Sequence, residues 1–334
     1  MKSAILAVLY FSLMNLSLQC VAILSTEECS NEKARNIENL STLSKLIVPA
    51  LEGKTKGDAG KIGVVGGSLE YTGAPYFAAI SALKVGADLV YVITTESAAP
   101  IIKTYSPDLI VYPFLSTSHA DEVNNLITKM DVVIIGPGLG RDEGIEHVVY
   151  GIIETCKNQK KPTVIDADGL YLISKNITII KNYPSPGAIL TPNHREAERL
   201  QRSIPKSSNI PDTRWYTFWG DYVTVLVKGK EDRYLSTQDS FVWSLSEGGS
   251  GRRAGGQGDI LSGALATFYK WGLSANICEN KDQTIRFSQS VAALSAAKLT
   301  RACNAKGYQI YGRSLTASDM LKEIHASFDE LFLF

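Results

Sequence analysis

From residue 45 onward the chain alternates between two rhythms of apolar and polar positions. Short, β-branched apolar runs predict strands over Ile62–Val65, Leu89–Ile93, Val132–Ile135, Thr163–Ile165, Ala188–Leu190 and Val223–Val227. Between them, apolar residues recur at helical spacing. Phe77, Ile80 and Leu83 predict a helix over Pro75–Val85 that Gly86 stops, and another follows over Ile145–Cys156. Ile260, Leu261, Ala264, Leu265 and Phe268 share one face of a further helix, with Gly272 suited to its end. Residues 34–46 have a weaker helical pattern. Residues 201–221 are polar, then aromatic, and read as a surface insertion or a connecting helix.

Such alternation predicts an α/β domain with a mostly parallel sheet covered on both faces. In these sheets ligands collect beyond the carboxyl ends of the strands. The punctuation falls at those ends: Gly66-Gly67-Ser68, Gly136 to Gly140, Asp166 to Gly169, Thr191 to His194, and Lys228-Gly229. No Pro/Ser-rich linker and no internal repeat interrupts the pattern, so residues 30–334 read as a single domain.

Composition adds exclusions. The 334 residues carry 34 Lys+Arg and 34 Asp+Glu, a formal net charge of zero, so no basic excess is present to hold nucleic acid. None of the five cysteines forms a C-x-x-C pair, which argues against a zinc cluster or redox motif. Cys156, Cys278 and Cys303 are expected as free thiols; a Cys20–Cys29 pairing requires that the N-terminus stay attached. Residues 1–24 are expected as a targeting segment. Lys2 precedes the apolar stretch Ala4–Met14, and Cys20-Val-Ala22 offers small residues to a signal peptidase. Ser and Asn interrupt the run too soon for a stable membrane span. The signal points to the secretory route. The lack of Arg before Arg35 disfavours a mitochondrial presequence, and unpaired thiols suit a reducing compartment such as the cytoplasm. Endoplasmic reticulum, mitochondrion and cytoplasm therefore all stay open. Asn39-Leu-Ser and Asn176-Ile-Thr are glycosylation sequons.

The strongest chemical signal is Gly248-Gly249-Ser-Gly-Arg-Arg-Ala-Gly-Gly-Gln-Gly258-Asp259, which runs into a helix. Free N–H groups and the helix dipole at such a start favour an anion, usually phosphate. Asp259, in the first turn, is expected to ionise readily and to act as base for a hydroxyl that attacks the γ-phosphate of ATP. Its alternative is a helix cap, which leaves the five glycines between 249 and 258 unexplained. The loop is not a Walker loop, because residues 57–62 lack G-x4-G-K-[ST]; nor does residues 63–67 match G-x-G-x-x-G. Asn193-x-x-Glu196 fits a capping box. Asp166 and Asp168 fit ligand contact or turn chemistry equally, as do Tyr71 and Thr72 a ligand contact or a helix start.

Seven segments carry a resemblance: Lys61–Ser68, Tyr71–Phe77, Gly136–Asp142, Val164–Gly169, Thr191–Glu196, Lys228-Gly229 and Gly249–Asp259. The chain resembles the ATP-dependent NAD(P)H-hydrate dehydratases of the ribokinase-like superfamily. The resemblance implies a three-layer α/β/α sandwich that returns the S form of hydrated NADH or NADPH to NAD(P)H. ATP would be co-substrate and Mg2+ cofactor, with ADP and phosphate released, and the superfamily's N-x-x-E pattern, met at Asn193-x-x-Glu196, would have the Glu arrange magnesium-bound water. It implies Asp259 as base. Substrate would be contacted by Gly138, Gly140, Asn193, His194, Arg195, Glu196, Ala197, Glu198 and Arg199. ATP would be held by Lys228, Gly229, Lys230, Glu231 and Asp232, and by Gly249, Ser250, Gly251, Arg252, Arg253, Ala254, Gly255, Gly256, Gln257 and Gly258. A separate epimerase is the implied functional partner; a homo-oligomer is left open. The rivals are a hydroxymethylpyrimidine or thiazole kinase of the same fold and a non-catalytic nucleotide-binding module.

Overall fold

The computed structural model describes residues 22–31 and 36–333. Nine strands form one sheet: β1 (Lys61–Val65), β2 (Leu89–Ile93), β3 (Ile110–Tyr112), β4 (Val132–Ile135), β5 (Thr163–Ile165), β6 (Ala188–Leu190), β7 (Val223–Val227), β8 (Asp232–Leu235) and β9 (Trp243–Leu245). Their order is β3-β2-β1-β4-β5-β6-β7-β8-β9. Every pair from β3 to β7 is parallel, and β7, β8 and β9 close the edge as antiparallel neighbours. The order reverses between β1 and β4, a switch point where strand-end loops diverge and leave a crevice.

Strand side chains alternate between faces, and helices cover both, so the central strands are apolar throughout. Ile62, Val64, Val132 and Ile134 join one buried cluster, packed on helices Gly73–Val85, Gln257–Ser274 and Lys281–Tyr311. Val65, Val133 and Ile135 join the other, with residues from helices Ala120–Lys129, Glu143–Asn158 and Ala167–Lys175. The result is the expected α/β/α sandwich, with six strands at or within one residue of their predicted bounds.

Three expectations need correction. Helix Gln257–Ser274 runs through Gly272. A Cβ on Gly272 would lie 3.1 Å from Ser288 Cα, so this glycine permits helix–helix approach rather than ending the helix. Residues 201–221 form neither a surface insertion nor an α-helical connector. Helix His194–Ser203 extends into them, and a 3-10 segment, Asp212–Trp219, buries Trp215, Tyr216, Phe218 and Trp219 in the second core. Cys278 is not a free thiol: it is disulfide-bonded to Cys29, 249 residues away in sequence. Cys156 and Cys303 are free and buried, and burial pushes both thiols up to about 12. Cys20 and most of the expected targeting segment, residues 1–21, lie outside the described residues. The three residues of it that follow pack on the body, where Leu24 N donates to Ile277 O at 2.8 Å. Among the described residues, no helix is long and apolar enough to cross a membrane.

Candidate active site

The glycine-rich loop meets its helix at Gly256, which has φ +89° and sits at the N-cap. A Cβ there would lie 2.7 Å from Ala317 Cβ and 2.9 Å from the Phe77 ring, so both the backbone angle and the packing require glycine. Asp259 is therefore the third residue of the helix, not its cap, and is 9% exposed. Its expected ready ionisation is reversed. Burial, then the negative charge of Asp166, outweigh Lys228 and raise its pKa from 3.8 to about 7.

Asp166, at the end of β5, is 1% exposed and accepts from Lys228 Nζ at 2.6 Å. Burial alone would lower the Lys228 pKa, but Asp166 and Glu196 override it and hold the ammonium above its usual value. Lys228 thus follows β7 as a partly buried cation held against Asp166. The Asn193–Glu196 capping box is present: Asn193 Oδ1 accepts from Glu196 N at 3.1 Å, and Glu196 Oε2 accepts from Asn193 N at 2.7 Å. Burial raises the Glu196 carboxyl despite nearby Lys228.

Two cavities open at this sheet edge. The smaller, about 500 Å³, is lined by Asp166, Asn193, Glu196, Lys228, Gly229 and Asp232, and by Gly249 and the stretch from Arg253 to Asp259. The larger, about 1260 Å³, is lined by loops after β1 to β5, including Ser68, Tyr71, Gly138, Gly140, Arg141 and Asp168. Ala167 and Asp259 line both. The residue between the two aspartates, Ala167, has φ +47°. A non-glycine residue in that region is strained, and such strain concentrates at working sites. Around it the chain divides its two carboxylates. Asp166 binds Lys228 in the smaller cavity, while Asp168 Oδ2 accepts from Gly140 N at 3.0 Å in the larger. Burial raises the Asp168 carboxyl as well.

The expected substrate residues do not share one pocket. Gly138 and Gly140 line the larger cavity, whereas Asn193 and Glu196 line the smaller. His194 and Arg195 are exposed, and Ala197 is buried in the second core. Glu198 pairs with His194 and Arg202 across successive helix turns, and the Arg199 guanidinium lies 5.5 Å from the Tyr171 ring. Of the expected ATP residues, Lys230, Glu231, Gly251 and Arg253 are exposed, and Asp232 turns its carboxylate inward. Sequence reasoning left Ser68 out of the site; the residue lines the larger cavity, and its buried hydroxyl has no hydrogen-bond partner among the described residues. It also missed Ala297, Thr300, Arg301 and Asn304, which complete the smaller cavity from helix Lys281–Tyr311. No local motif marks those four; they meet the site only through the fold.

A buried carboxylate between two cavities, one floored by a glycine-rich helix start beside a fixed cation, is an arrangement suited to handling phosphate. The fold is similar to that of a ribokinase-like superfamily protein from Enterococcus faecalis, at 20% identity and TM-score 0.66 over 95% of this chain and 99% of that one. It is similar also to the ADP/ATP-dependent NAD(P)H-hydrate dehydratase of Bacillus subtilis co-crystallised with ATP/Mg2+, at 20% identity and TM-score 0.59 over 87% and 96%. A family model described as NAD(P)H-hydrate dehydratase matches residues 62–325, and the chain belongs to that family. Curated relatives named ATP-dependent (S)-NAD(P)H-hydrate dehydratase include those of Aedes aegypti, 46% identical over 92% of this chain and 90% of that protein, and Mus musculus, 45% identical over 89% and 87%.

Proposed function

We propose that this chain uses ATP to dehydrate the S form of hydrated NADH or NADPH, restoring the dihydronicotinamide and releasing ADP and phosphate. One observation carries the reading: Asp259 lines both cavities, so a ligand in each can meet at one carboxylate. ATP fits the smaller cavity, where the amide-rich start of the Gln257 helix and the Lys228 ammonium offer counter-charge to phosphate. The hydrated dinucleotide, the larger ligand, fits the larger cavity.

Hydroxide is a poor leaving group, so direct loss of water from the ring is slow. In this reading Asp259 takes the proton of the ring hydroxyl as its oxygen bonds to the γ-phosphorus and the bond to ADP breaks. The ring nitrogen lone pair then expels phosphate, a far better leaving group, to leave an iminium; loss of the proton on the neighbouring ring carbon to solvent returns the pair to nitrogen and restores the carbon–carbon double bond. A carboxylate with a pKa near 7 suits this work, being a stronger base than an ordinary aspartate yet ionised at neutral pH in a large fraction of molecules. Lys228 would hold phosphate oxygens, and Asp166 keeps its ammonium in place.

Mg2+ is part of the proposal. No cluster of three or more His, Cys, Asp or Glu suited to a metal occurs among the described residues. Magnesium keeps several waters and binds through one or two carboxylates plus substrate phosphates, and Glu196 is a carboxylate that lines the smaller cavity. Glu196 would hold its water shell, and the ion would neutralise charge developing on the phosphates. A separate epimerase would convert the R hydrate to the form used here. The Cys29–Cys278 disulfide supports the secretory route among the expected destinations, because such bonds persist in oxidising compartments.

The test is to incubate purified protein with S-hydrated NADH, ATP and Mg2+ and follow recovery of dihydronicotinamide absorbance. Recovery with one phosphate released per turnover is expected. A folded protein that gives no recovery overturns the reading, and a stable phosphorylated product would point to a kinase instead.

A further inference from the structure

The glycine-rich loop is held in place by a helix that follows it in sequence. Arg301, on helix Lys281–Tyr311, has a side chain only 11% exposed. Its Nε donates to Asp232 Oδ2 at 2.7 Å. One terminal nitrogen donates to the carbonyls of Gly229 and Lys230 at 3.2 and 2.8 Å. The other reaches the carbonyls of Ser246, Glu247 and Gly248 at 3.2 to 3.4 Å. A planar guanidinium with five fixed donors suits this task; a lysine ammonium, with three donors about one point, does not. One turn further along the same face, Asn304 Oδ1 accepts from Ser250 N at 2.6 Å and from Ser250 Oγ at 2.7 Å, and its amide donates to Arg252 O at 3.2 Å.

Gly248 and Gly249, at φ +74° and +77°, wrap this device. Cβ atoms built on them would lie 3.5 and 3.7 Å from the Arg301 stem. The first glycines of the loop therefore serve the turn around Arg301, while Gly256 and Gly258 sit at the helix start beside Lys228. Asp232 accepts from Gly229 N at 2.8 Å with one carboxylate oxygen and from Arg301 with the other.

We propose that Arg301 and Asn304 are positioning residues for the nucleotide. They tie the Lys228–Asp232 turn to the Ser246–Arg252 stretch, two walls of the smaller cavity that diverge beyond the point where Asp232 pairs with Leu245 in the β8–β9 ladder. This rests on ATP occupying that cavity. By setting the gap between the walls before ATP arrives, they reduce the ordering that binding would otherwise require.

The experiment compares full-length wild type with Arg301→Lys, Asn304→Ala and a control, Arg286→Lys, which alters an arginine paired with Asp282 on the same helix away from both cavities. Arg301→Lys is expected to raise KM for ATP about tenfold, while KM for the hydrate changes less than about twofold. Asn304→Ala should raise KM for ATP by roughly threefold to tenfold, and the control should leave both constants alone. Equal rises in both KM values, or a rise matched by the control, overturns the proposal. Calorimetric titration with a non-hydrolysable ATP analogue separates the two claims. Failure of folded wild type to bind overturns the site reading itself. Wild-type binding that Arg301→Lys and Asn304→Ala match in affinity overturns the positioning role alone.

Discussion

The cavity that holds Lys228 and the cavity that holds Gly138 share Asp259 and Ala167, yet they are built by different means. The smaller one gathers buried charge: Asp166 on Lys228, Arg301 on Asp232, and Glu196 in its capping box. Its walls come from distant parts of the chain and are joined by side chains. The larger one sits over the β1/β4 switch point, where consecutive strand-end loops form the walls and backbone groups, such as Gly140 N on Asp168, do much of the joining. A ligand with concentrated charge needs fixed counter-charges, which cost desolvation unless every partner is in place. A larger ligand with dispersed polarity can be met by loops and their backbone groups.

The sharpest way to break this comparison is at the residue both cavities share. Asp259→Asn should lower kcat by about 10²- to 10⁴-fold, the span of general-base effects, while ATP analogue binding persists. Wild-type-like turnover would remove Asp259 from the chemistry. The next effect is confined to the smaller cavity. Lys228→Met strands Asp166 without its cation and should cost about 3 kcal/mol of stability in denaturant titration. Adding Asp166→Asn should return most of it, and additive losses would show that the pair is not coupled.

A pH comparison follows. The folded pKa of Asp259, about 7, lies above its ordinary 3.8, so the folded state binds the extra proton between these values. The penalty of burying the charge is absent below about pH 4 and complete above about pH 7. Ligand-free Asp259→Asn should therefore match wild type in stability near pH 4 and exceed it near pH 8, by up to roughly 4 kcal/mol. A gain of equal size at both pH values contradicts the assigned burial. The smallest effect belongs to the larger cavity. Ser68→Ala removes a hydroxyl that no chain group uses, so thermal stability should hold, while KM for the hydrate rises by about tenfold or less and KM for ATP does not move.

How much of this was legible in sequence differs between the same two regions. The parallel strands were legible because helices on both faces make them continuous apolar runs, as at Val132–Ile135. The three residues of β3 and the edge pair β8 and β9 were not, since a run such as Asp232–Leu235 buries only alternate positions and carries charge. Helix Lys281–Tyr311 was missed because Ser288, Gln289, Ser290 and Ser295 are polar yet buried, which flattens its periodicity. At the site, local motifs revealed what local backbone does: the glycine-rich helix start and the capping box. Contacts across the fold left no trace in the pattern. The Lys228–Asp166 pair spans 62 residues and the Arg301–Asp232 pair 69. Asp259 lies in the first turn of its helix, as expected, but its protonation was misjudged. Its position in a first turn favours ionisation, whereas its burial beside Asp166 opposes it, and only the fold reveals the burial.

The Cys29–Cys278 bond makes the chain a covalent ring. That ring contains all nine strands and Asp259, whereas Arg301 and Asn304 lie on the tail that leaves it. A single protease cut in an exposed loop of the ring, such as residues 51–56, opens the circle without releasing either piece. Nicked protein should thus run as one band on a non-reducing gel and as two once the bond is reduced. Two bands without reductant would mean that the purified protein had never closed the ring.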